Sequence, residues 1–409
     1  MIKQLIEKGV KIPNPDSVEI GTNVNIDRIS GNGAVIHAGC KIFGDSTFIG
    51  DNAHLGYEAP VTVDNCQIGP HVHLKGGFFQ KAVFLEKANM GSGAHVREGT
   101  ILEEQANAAH TVGLKHTILL PFVTLGSLIN FCDCLMAGGT SRKNHSEVGS
   151  SYIHFNYTPN QDKATPSLIG DVPHGVMLQQ KPIFLGGQGG LVGPCRLTYG
   201  TIIAAGAIHS KDQLKPDRLL LGRATKGGEM PFVKGLYRGL KRTVKNNLIY
   251  IANLMALRQW CLHVRSQFIG ERFPDALFNG VLNNLDLAID ERVKRFKHFS
   301  QKMRESAEIY QEIVQKNQSA LLLNQKDELY SRRNELEQCL YSLKTYEGNQ
   351  EAKDNFLEII ARKIKNNGNN YIMAIQGLDF GEAETGSGWM QGIADYMVEQ
   401  CLNIIPSLK

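Results

Sequence analysis

The feature that most constrains the fold of this chain is a six-residue rhythm in its first half, in which an aliphatic residue is often followed by glycine or another small residue. A spacing of six fits neither an amphipathic helix, with a period of 3.6, nor a half-buried strand, with a period of 2. Three such hexads form one triangular coil with its aliphatic side chains inside, and coils must stack because a single coil cannot bury its own inner face. The clearest runs are Ile36 and Ile42; Ile49, Leu55 and Val61; and Met90, Val96, Leu102, Ala108, Leu114 and Leu120.

We therefore predict a parallel β-helix over residues 1–228. A β-sandwich of short strands joined by glycine turns is the alternative for the same region. Residues 138–145 and 158–166 break the rhythm and are predicted to loop out of the coil. Loops on a rigid scaffold are where binding and catalytic groups tend to lie.

Helical spacing replaces the six-residue rhythm after about residue 226. We predict an α-helical domain over residues 229–409, which serves as a helical bundle or an oligomerisation cap. Its two apolar stripes are Leu236, Leu240, Val244, Leu248, Ile251 and Met255, and then Val281, Leu285, Ile289, Val293, Phe296, Phe299 and Met303.

Composition excludes several classes of protein. The 409 residues carry Lys+Arg 44 against Asp+Glu 40, and this formal charge of +4 is too small to indicate nucleic-acid binding. The cysteines include no CxxC pair and no leader-like segment opens the chain, so we expect a cytoplasmic protein. The apolar stretch at 248–262 is too short and too interrupted to span a membrane.

Cys132 and Cys134, taken to lie on one side of a strand, suggest a zinc site, but buried structural thiols are favoured because no second ligand pair is present.

Several motifs in the first half occur in the order found in one known family. They are Gly93-Ala-His-Val-Arg-Glu-Gly99, Val112-Gly-Leu-Lys115, Phe155-Asn-Tyr157, Phe184-Leu-Gly-Gly187 and Ile203-Ala-Ala-Gly206. Over residues 10–225 the chain resembles the acetyltransferase domain of bifunctional glucosamine-1-phosphate acetyltransferase/N-acetylglucosamine-1-phosphate uridyltransferase, a hexapeptide-repeat acyltransferase. The resemblance implies that the β-helix is left-handed and that the protein is a homotrimer with its sites in the clefts between subunits.

The resemblance also implies roles for individual residues. It assigns substrate binding to Arg97, Lys115, Asn130, Asn156, Tyr157 and Lys163, and binding of the acyl donor to Gly187, Ala205 and Arg223. The spacing of Arg97 and Lys115 is eighteen residues, which is one full coil, so both cations are expected on one edge. Two stacked cations suit a phosphate group.

The general base is predicted to be His145 or His116. Acyl transfer to a sugar amine or hydroxyl needs a base near neutral pH, and histidine is the natural choice. His145 follows Arg, Lys and Asn residues that favour an anionic substrate. Matching the two cations to the family places Ser127 at its histidine, whereas matching the segment around Asn130 places His116 there. The alignment leaves both alternatives open.

We expect an acyltransferase that uses acetyl-coenzyme A, another acyl-coenzyme A or an acyl carrier protein thioester, with a sugar phosphate or a nucleotide sugar as acceptor and no metal. We expect no pyrophosphorylase reaction, because no glycine-rich nucleotide loop precedes the hexads. A non-catalytic β-helix scaffold or a sugar-nucleotide-binding protein is the alternative. A regulator of sugar nucleotidyltransferases is a third interpretation, which rests on fold kinship alone.

Overall fold

A computed structural model describes residues 1–222, 228–314 and 318–409. Most strands are short, as expected for the sides of a triangular coil. The strands are β1 Glu19–Ile20, β2 Val35–Ile36, β3 Lys41–Phe43, β4 Phe48–Ile49, β5 His54–Leu55, β6 Val61–Asp64, β7 Gln67–Ile68, β8 His73–Leu74, β9 Gly77–Gln80, β10 Ala82–Phe84, β11 Asn89–Met90, β12 Ala94–Val96, β13 Thr100–Leu102, β14 Asn107–Ala108, β15 Gly113–Leu119, β16 Thr124–Leu125, β17 Asn130–Met136, β18 Gly139–Ser141, β19 Asn144–His145, β20 Glu147–Val148, β21 Ile153–Phe155, β22 Ser167–Ile169, β23 Phe184–Leu185, β24 Gly190–Val192, β25 Cys195–Leu197, β26 Ile202–Ile203, β27 Ile208–His209 and β28 Leu219–Leu220.

Helices dominate the second half of the chain. Among the described residues, the α-helices are α1 Ile2–Lys8, α2 Val172–Gly175, α3 Leu240–His263, α4 Asp275–Gln301, α5 Met303–Ile313, α6 Ala320–Ser331, α7 Arg333–Leu343, α8 Gln350–Asn367, α9 Tyr371–Gln376 and α10 Phe380–Ile404. The two predicted apolar stripes lie mainly on α3 and α4, although Leu236 precedes α3 and Met303 begins α5. The predicted domain boundary at residue 228 lies between β28 and α3 and stays a prediction.

The strands stack in three parallel faces. The first face is the sheet β2-β5-β8-β11-β14-β16-β20-β23-β26-β28. The second face contains β1, β3, β6, β9, β12, the first halves of β15 and β17, β21, β24 and β27. The third face contains β4, β7, β10, β13, the second halves of β15 and β17, β22 and β25. This arrangement, followed by the helical region, confirms the predicted fold class and rules out the β-sandwich.

The inner side chains of the first face form a continuous apolar ladder along the β-helix. Each member pairs in register with the next, and each is at most 1% exposed. Burying one such aliphatic side chain contributes about 1.5–3 kcal/mol to folding. The ladder consists of Ile36, Leu55, Leu74, Met90, Ala108, Leu125, Val148, Leu185 and Ile203.

The third face is apolar on its outer side as well. Its outer side chains pair in register between adjacent coils and are at most 5% exposed, because α3 and α4 pack over this face. The helical region therefore completes a second core between itself and the β-helix. The outer residues of this core are Val83, Ile101, Ile118, Leu135 and Leu168.

A buried ion pair also joins the two regions. Arg265, directly after α3, donates to both carboxylate oxygens of Glu104 at 3.1 and 2.5 Å, and the two side chains are only 4% and 8% exposed. The guanidinium lies 4.4 Å from the ring centroid of Phe273 and 3.8 Å from that of Tyr371. Arginine in such a setting is held by its charge and its planar faces together.

Within residues 1–222, 228–314 and 318–409, the helices are too short or too polar for any of them to cross a membrane.

Candidate functional site

A surface groove of about 510 Å³ lies on the second face, across β12, β15 and β17. Lys115 pairs with Cys132 on the next coil, and the pairing of Val96 with Leu114 brings Arg97 beside Lys115 on the previous coil. Arg97, Lys115 and Cys132 therefore form one outward column along the groove. The predicted stacking of Arg97 and Lys115 on one edge is what the register shows.

Three cations lie near the Cys132 thiol. Burial and the adjacent Asp133 raise the pKa of this thiol, while the positive charges of Arg97, Lys163 and Lys115 act in the opposite direction and only partly offset them. The Nζ atom of Lys115 lies 2.7 Å from Oε1 of Glu98, which balances part of the positive charge. Among the described residues, Arg97 has no ion pair. The groove thus offers an unpaired guanidinium and the partly neutralised ammonium group of Lys115 to an anion, and the ammonium group of Lys163 acts on the same thiol.

Arg292 of α4 supports the loop that carries Lys163. Its guanidinium donates to the carbonyl oxygen of Lys163 at 3.0 Å and lies 2.9 Å from Oδ1 of Asp133. The Arg292 and Asp133 side chains are 1% and 4% exposed, and the second Asp133 oxygen accepts from the Asn156 amide at 2.8 Å. Burial tends to raise the pKa of Asp133, but Arg292 and Asn156 hold that pKa below its usual value. The helical region therefore positions two of the predicted substrate-binding residues.

His116 sits at the corner between the second and third faces and does not line the groove. Its φ of 45° is left-handed, and its ring lies so close to Gly99 that a Cβ there would be 2.1 Å from Nδ1 of His116. Burial is the main cause that lowers the pKa of His116, with Arg292 adding to it and Asp133 opposing it. Its imidazole is therefore neutral near pH 7.

His145 lies in the antiparallel hairpin of β18 and β19 beside the first face. Its Nε2 is 3.6 Å from the Glu147 carboxylate, and Glu147 pairs into the first face. Arg142, in the same hairpin, donates to the carbonyl oxygens of Gln105 and Phe122 at 3.0 Å. Within one chain, the structure does not bring His145 to Arg97 and Lys115.

The other predicted substrate residues differ in exposure. Asn130 lines the groove, and its Oδ1 accepts from the Cys132 thiol at 3.8 Å. Tyr157 is 57% exposed. Ser127, the alternative alignment for the family's histidine, is half-buried and its N–H donates to Ser150 Oγ at 3.2 Å.

His154 is a structural residue of the β-helix. It is 3% exposed, with Nδ1 at 2.6 Å from the carbonyl oxygen of Cys132 and Nε2 at 2.8 Å from Ser167 Oγ. Burial lowers the pKa of His154 to about 4. The ring is consequently neutral and enclosed at neutral pH.

Gly187 and Ala205 follow the first-face strands β23 and β26, away from the groove. The chain packs tightly there: a Cβ on Gly149 would come within 2.4 Å of the Gly187 nitrogen, and a Cβ on Gly186 within 2.3 Å of the Ala205 nitrogen. These glycines permit close stacking of successive coils. The third predicted donor-binding residue, Arg223, lies outside the described residues.

Cys132 and Cys134 do not share one side of a strand. Asp133 between them has a φ of 60°, which turns the chain at the corner, so Cys132 lines the groove whereas Cys134 is fully buried in the core. The expectation that both thiols point the same way was wrong because it assumed a regular strand. Among the described residues, no group of three or more His, Cys, Asp or Glu side chains is arranged to hold a metal ion.

The sequence analysis missed two residues that line the groove and one helical residue that supports the Lys163 loop. His95 and Gly113 line the groove on β12 and β15, and Arg292 fixes the loop from a distant helix. A signal for Arg292 was present, because it falls on the apolar stripe of α4 between Ile289 and Phe296. A charged residue on a buried helix face is expected to have a buried partner.

Comparison with known proteins supports the resemblance. The chain is 29% identical over 224 residues to the bifunctional protein GlmU of Thermotoga sp. strain RQ2, which covers 54% of this chain and 44% of that protein. It is 28% identical over 221 residues to GlmU of Trichlorobacter lovleyi, which covers 54% and 42%. No family model matches the chain. The resemblance to this bifunctional family is confirmed for about half of the chain, and the matched part is less than half the length of these relatives.

Among solved structures, LpxA from Acinetobacter baumannii matches 53% of this chain and 70% of its own, at 12% sequence identity. The TM-score of this match is 0.20, so the fold assignment rests on the strand register described above rather than on the superposition.

Proposed function

We propose that this protein is an acyltransferase that moves an acyl group from a thioester donor to an amine or hydroxyl of a sugar phosphate or nucleotide sugar. The observation that carries the proposal is the stacking of Arg97 and Lys115 in one open groove, with Lys163 close enough to act on the groove residue Cys132. Arginine binds phosphate oxygens through a planar fork and lysine binds them as a point charge, so this set suits a phosphorylated acceptor. The GlmU relatives support the same class of reaction.

The reaction requires a base and a leaving thiol. The acceptor nitrogen or oxygen attacks the thioester carbonyl while a histidine takes the acceptor's proton. The C–S bond then breaks, and the histidine returns the proton to the sulfur, so the donor leaves as a free thiol. His145 and His116 remain the proposed bases. Because neither lines the groove within one chain, we propose that the site is completed in a homotrimer, where a neighbouring subunit brings its hairpin histidine to the groove.

The acyl donor is proposed to bind along the first-face coils that carry Gly187 and Ala205, with Arg223 on its phosphates. Acetyl-coenzyme A, another acyl-coenzyme A and an acyl carrier protein thioester are the donors to compare.

Release of free thiol tests the activity directly. Acetyl-coenzyme A and longer acyl donors are supplied with glucosamine 1-phosphate or with UDP-linked amino sugars, and thiol is followed over time. We expect Arg97→Ala to lower kcat/KM about 10- to 150-fold, because a charged hydrogen bond contributes about 1.5–3 kcal/mol. Arg304→Ala, in an exposed ion pair on α5, is the matched control and leaves turnover unchanged.

The same assay assigns the base. His145→Ala and His116→Ala are compared at several pH values, and loss of the true base lowers kcat about 10²- to 10⁴-fold and flattens the acidic limb of the pH profile. If neither substitution lowers turnover, both histidine assignments fail. If no donor and acceptor pair releases thiol, the acyltransferase proposal fails.

A sugar-nucleotide-binding scaffold without catalysis is the second candidate. One observation favours it: neither His116 nor His145 lines the groove of the single chain. This candidate predicts calorimetric binding of the phosphorylated sugar without any thiol release, and binding of coenzyme A would count against it.

A further inference from the structure

A second outward column runs along the groove beside the three cations. His95 pairs in register with Phe78 on one side and with Gly113 on the other, and Gly113 pairs with Asn130. The rings of Phe78 and His95 are stacked, with centroids 5.1 Å apart and planes 25° apart. His95 and Asn130 are exposed. Because one face of the imidazole stacks on Phe78, its other face looks along the column toward Gly113.

Gly113 leaves a gap in this column. Neighbouring strands lie about 4.8 Å apart, so His95 and Asn130 are separated by about 9.6 Å with no side chain between them. The backbone does not demand glycine here, because Gly113 is not among the glycines with positive φ. A Cβ at Gly113 would meet nothing closer than Oδ1 of Asn130 at 3.7 Å. The missing side chain is therefore explained neither by conformation nor by crowding, and the gap is wide enough to admit one flat ring.

The gap lies next to the cations. Arg97 and Lys115 follow His95 and Gly113 by two residues, which is about 6.6 Å along the strands. A flat ring in the gap would thus have its phosphates beside two cations. Flat bases stack on aromatic side chains without needing a specific hydrogen-bond pattern.

We propose that the groove is a nucleoside phosphate site, in which the base stacks on His95 over Gly113 and the phosphates bind Arg97 and Lys115. The proposal rests on the proposed function and deepens it, since it selects a nucleotide-linked substrate over a simple sugar phosphate. Two sources carry this chemistry: the nucleotide of a nucleotide-sugar acceptor and the adenosine phosphate of coenzyme A.

Calorimetric titrations of the full chain isolate the contribution of the base. UMP and AMP are compared with ribose 5-phosphate, which lacks only the base. Stacking of one base is expected to tighten binding about 5- to 150-fold. A parallel pair, UDP-N-acetylglucosamine against N-acetylglucosamine 1-phosphate, tests the acceptor, and coenzyme A against phosphopantetheine tests the donor.

Variants then locate the ring. His95→Ala removes the advantage of UMP and AMP over ribose 5-phosphate, whereas His95→Phe keeps it, because stacking needs the ring and not the imidazole nitrogens. Gly113→Leu fills the gap and removes the same advantage while ribose 5-phosphate binds as before. Thr62→Leu, in the same column beyond Phe78, is the matched control and changes nothing. An unchanged melting temperature confirms that each variant is folded.

The outcomes separate the two proposals. Equal binding of ribose 5-phosphate and both nucleotides overturns the nucleoside site but leaves the phosphate groove and the proposed function standing. Loss of the base advantage in His95→Phe overturns the stacking role of His95. Failure of every phosphorylated ligand to bind overturns the phosphate groove as well. A base advantage shown by only one of the paired ligands supports the site and assigns it to the acceptor or the donor.

Discussion

The second and third faces of the β-helix belong to the same coils and share the same register, but only the third face is covered by helices. On the second face the outer residues, including His95 and Arg97, are exposed around a groove. On the third face the outer residues, including Ile101 and Ile118, are fully buried beneath α3 and α4. The inner side chains of both faces, such as Val96 and Leu102, are equally buried, so the outer positions decide whether a coil docks a helical region or remains open to a ligand. The two faces meet at the corner where Asp133 contacts Arg292.

Breaking that corner contact is expected to give the largest effect. Arg292→Ala leaves the Asp133 carboxylate buried without its cation, which costs about 3–5 kcal/mol in the free energy of unfolding. Urea unfolding followed by circular dichroism measures it. Replacing both partners, Arg292→Met with Asp133→Asn, is the matched control: asparagine tolerates the left-handed φ of residue 133 and can still accept from Asn156, so most of the lost stability returns although Lys163 loses its hydrogen bond from Arg292. A cost below about 1 kcal/mol for Arg292→Ala would show that the corner does not join the regions.

Truncating an outer residue on each face tests the comparison itself. Ile118→Ala on the third face removes a fully buried side chain beneath the helices and is expected to cost about 2–5 kcal/mol. Arg97→Ala on the second face removes an exposed side chain and is expected to change stability by less than about 0.5 kcal/mol. Both are read from denaturant midpoints. Equal losses of unfolding free energy in the two variants would contradict the conclusion that the third face is covered and the second face is open.

The buried His154 is expected to make the stability of the β-helix depend on pH. The pKa of His154 is lowered to about 4 in the folded protein from about 6.5 when unfolded, so the unfolded chain binds more protons between these values. Stability therefore falls as the pH drops from about 6.5 to about 4, by about 3 kcal/mol. Denaturation curves across this range check the slope. His154→Asn removes this slope, and a slope that persists in the variant assigns it to other groups.

Glu103, beside the Glu104–Arg265 ion pair that joins the two regions, gives stability the opposite dependence on pH. Burial raises the pKa of Glu103, next to Glu104 and despite Arg265, so the folded state holds a proton that the unfolded state has lost. Stability is then lost as the pH rises from about 4.5, the unfolded value, towards about 8. Glu103→Gln, which stays neutral at every pH, is expected to gain stability over wild type as the pH rises from 5 to 8. No pH-dependent difference between wild type and Glu103→Gln would rule out a buried protonated Glu103.

Much of the β-helix follows from local sequence, and the reason is geometric. The six-residue repeat alone directs its aliphatic residue to the interior of the coil. Val96, Leu102 and Leu114 could therefore be assigned to the core without knowledge of the tertiary structure. Docking of α3 and α4 was not predicted, although runs such as Ala82-Val-Phe-Leu85 carry apolar residues at inner and outer positions alike. A strand buried on both sides reads as a continuous apolar run, and that signal marks the third face.

The candidate site was predicted in part. One-coil spacing brings Arg97 and Lys115 together because register is fixed within the β-helix. The contact between Arg292 and Lys163 joins residues 129 positions apart, and no local pattern specifies such a pairing. The sequence also could not decide which of His145, His116 and Ser127 takes the position of the family's histidine. The corner at His116 and the hairpin at His145 depend on how irregular segments pack.

The binding of glucosamine 1-phosphate to a variant that lacks both groove cations tests the central claim most directly. Calorimetry is performed on wild type and on Arg97→Ala combined with Lys115→Ala, both folded to the same melting temperature. The open second face predicts that the double variant binds at least about 100-fold more weakly, since two charged hydrogen-bonding partners are lost. The same dissociation constant for both proteins would show that the phosphate of glucosamine 1-phosphate does not bind Arg97 and Lys115, and would contradict the assignment of the groove as the phosphate site.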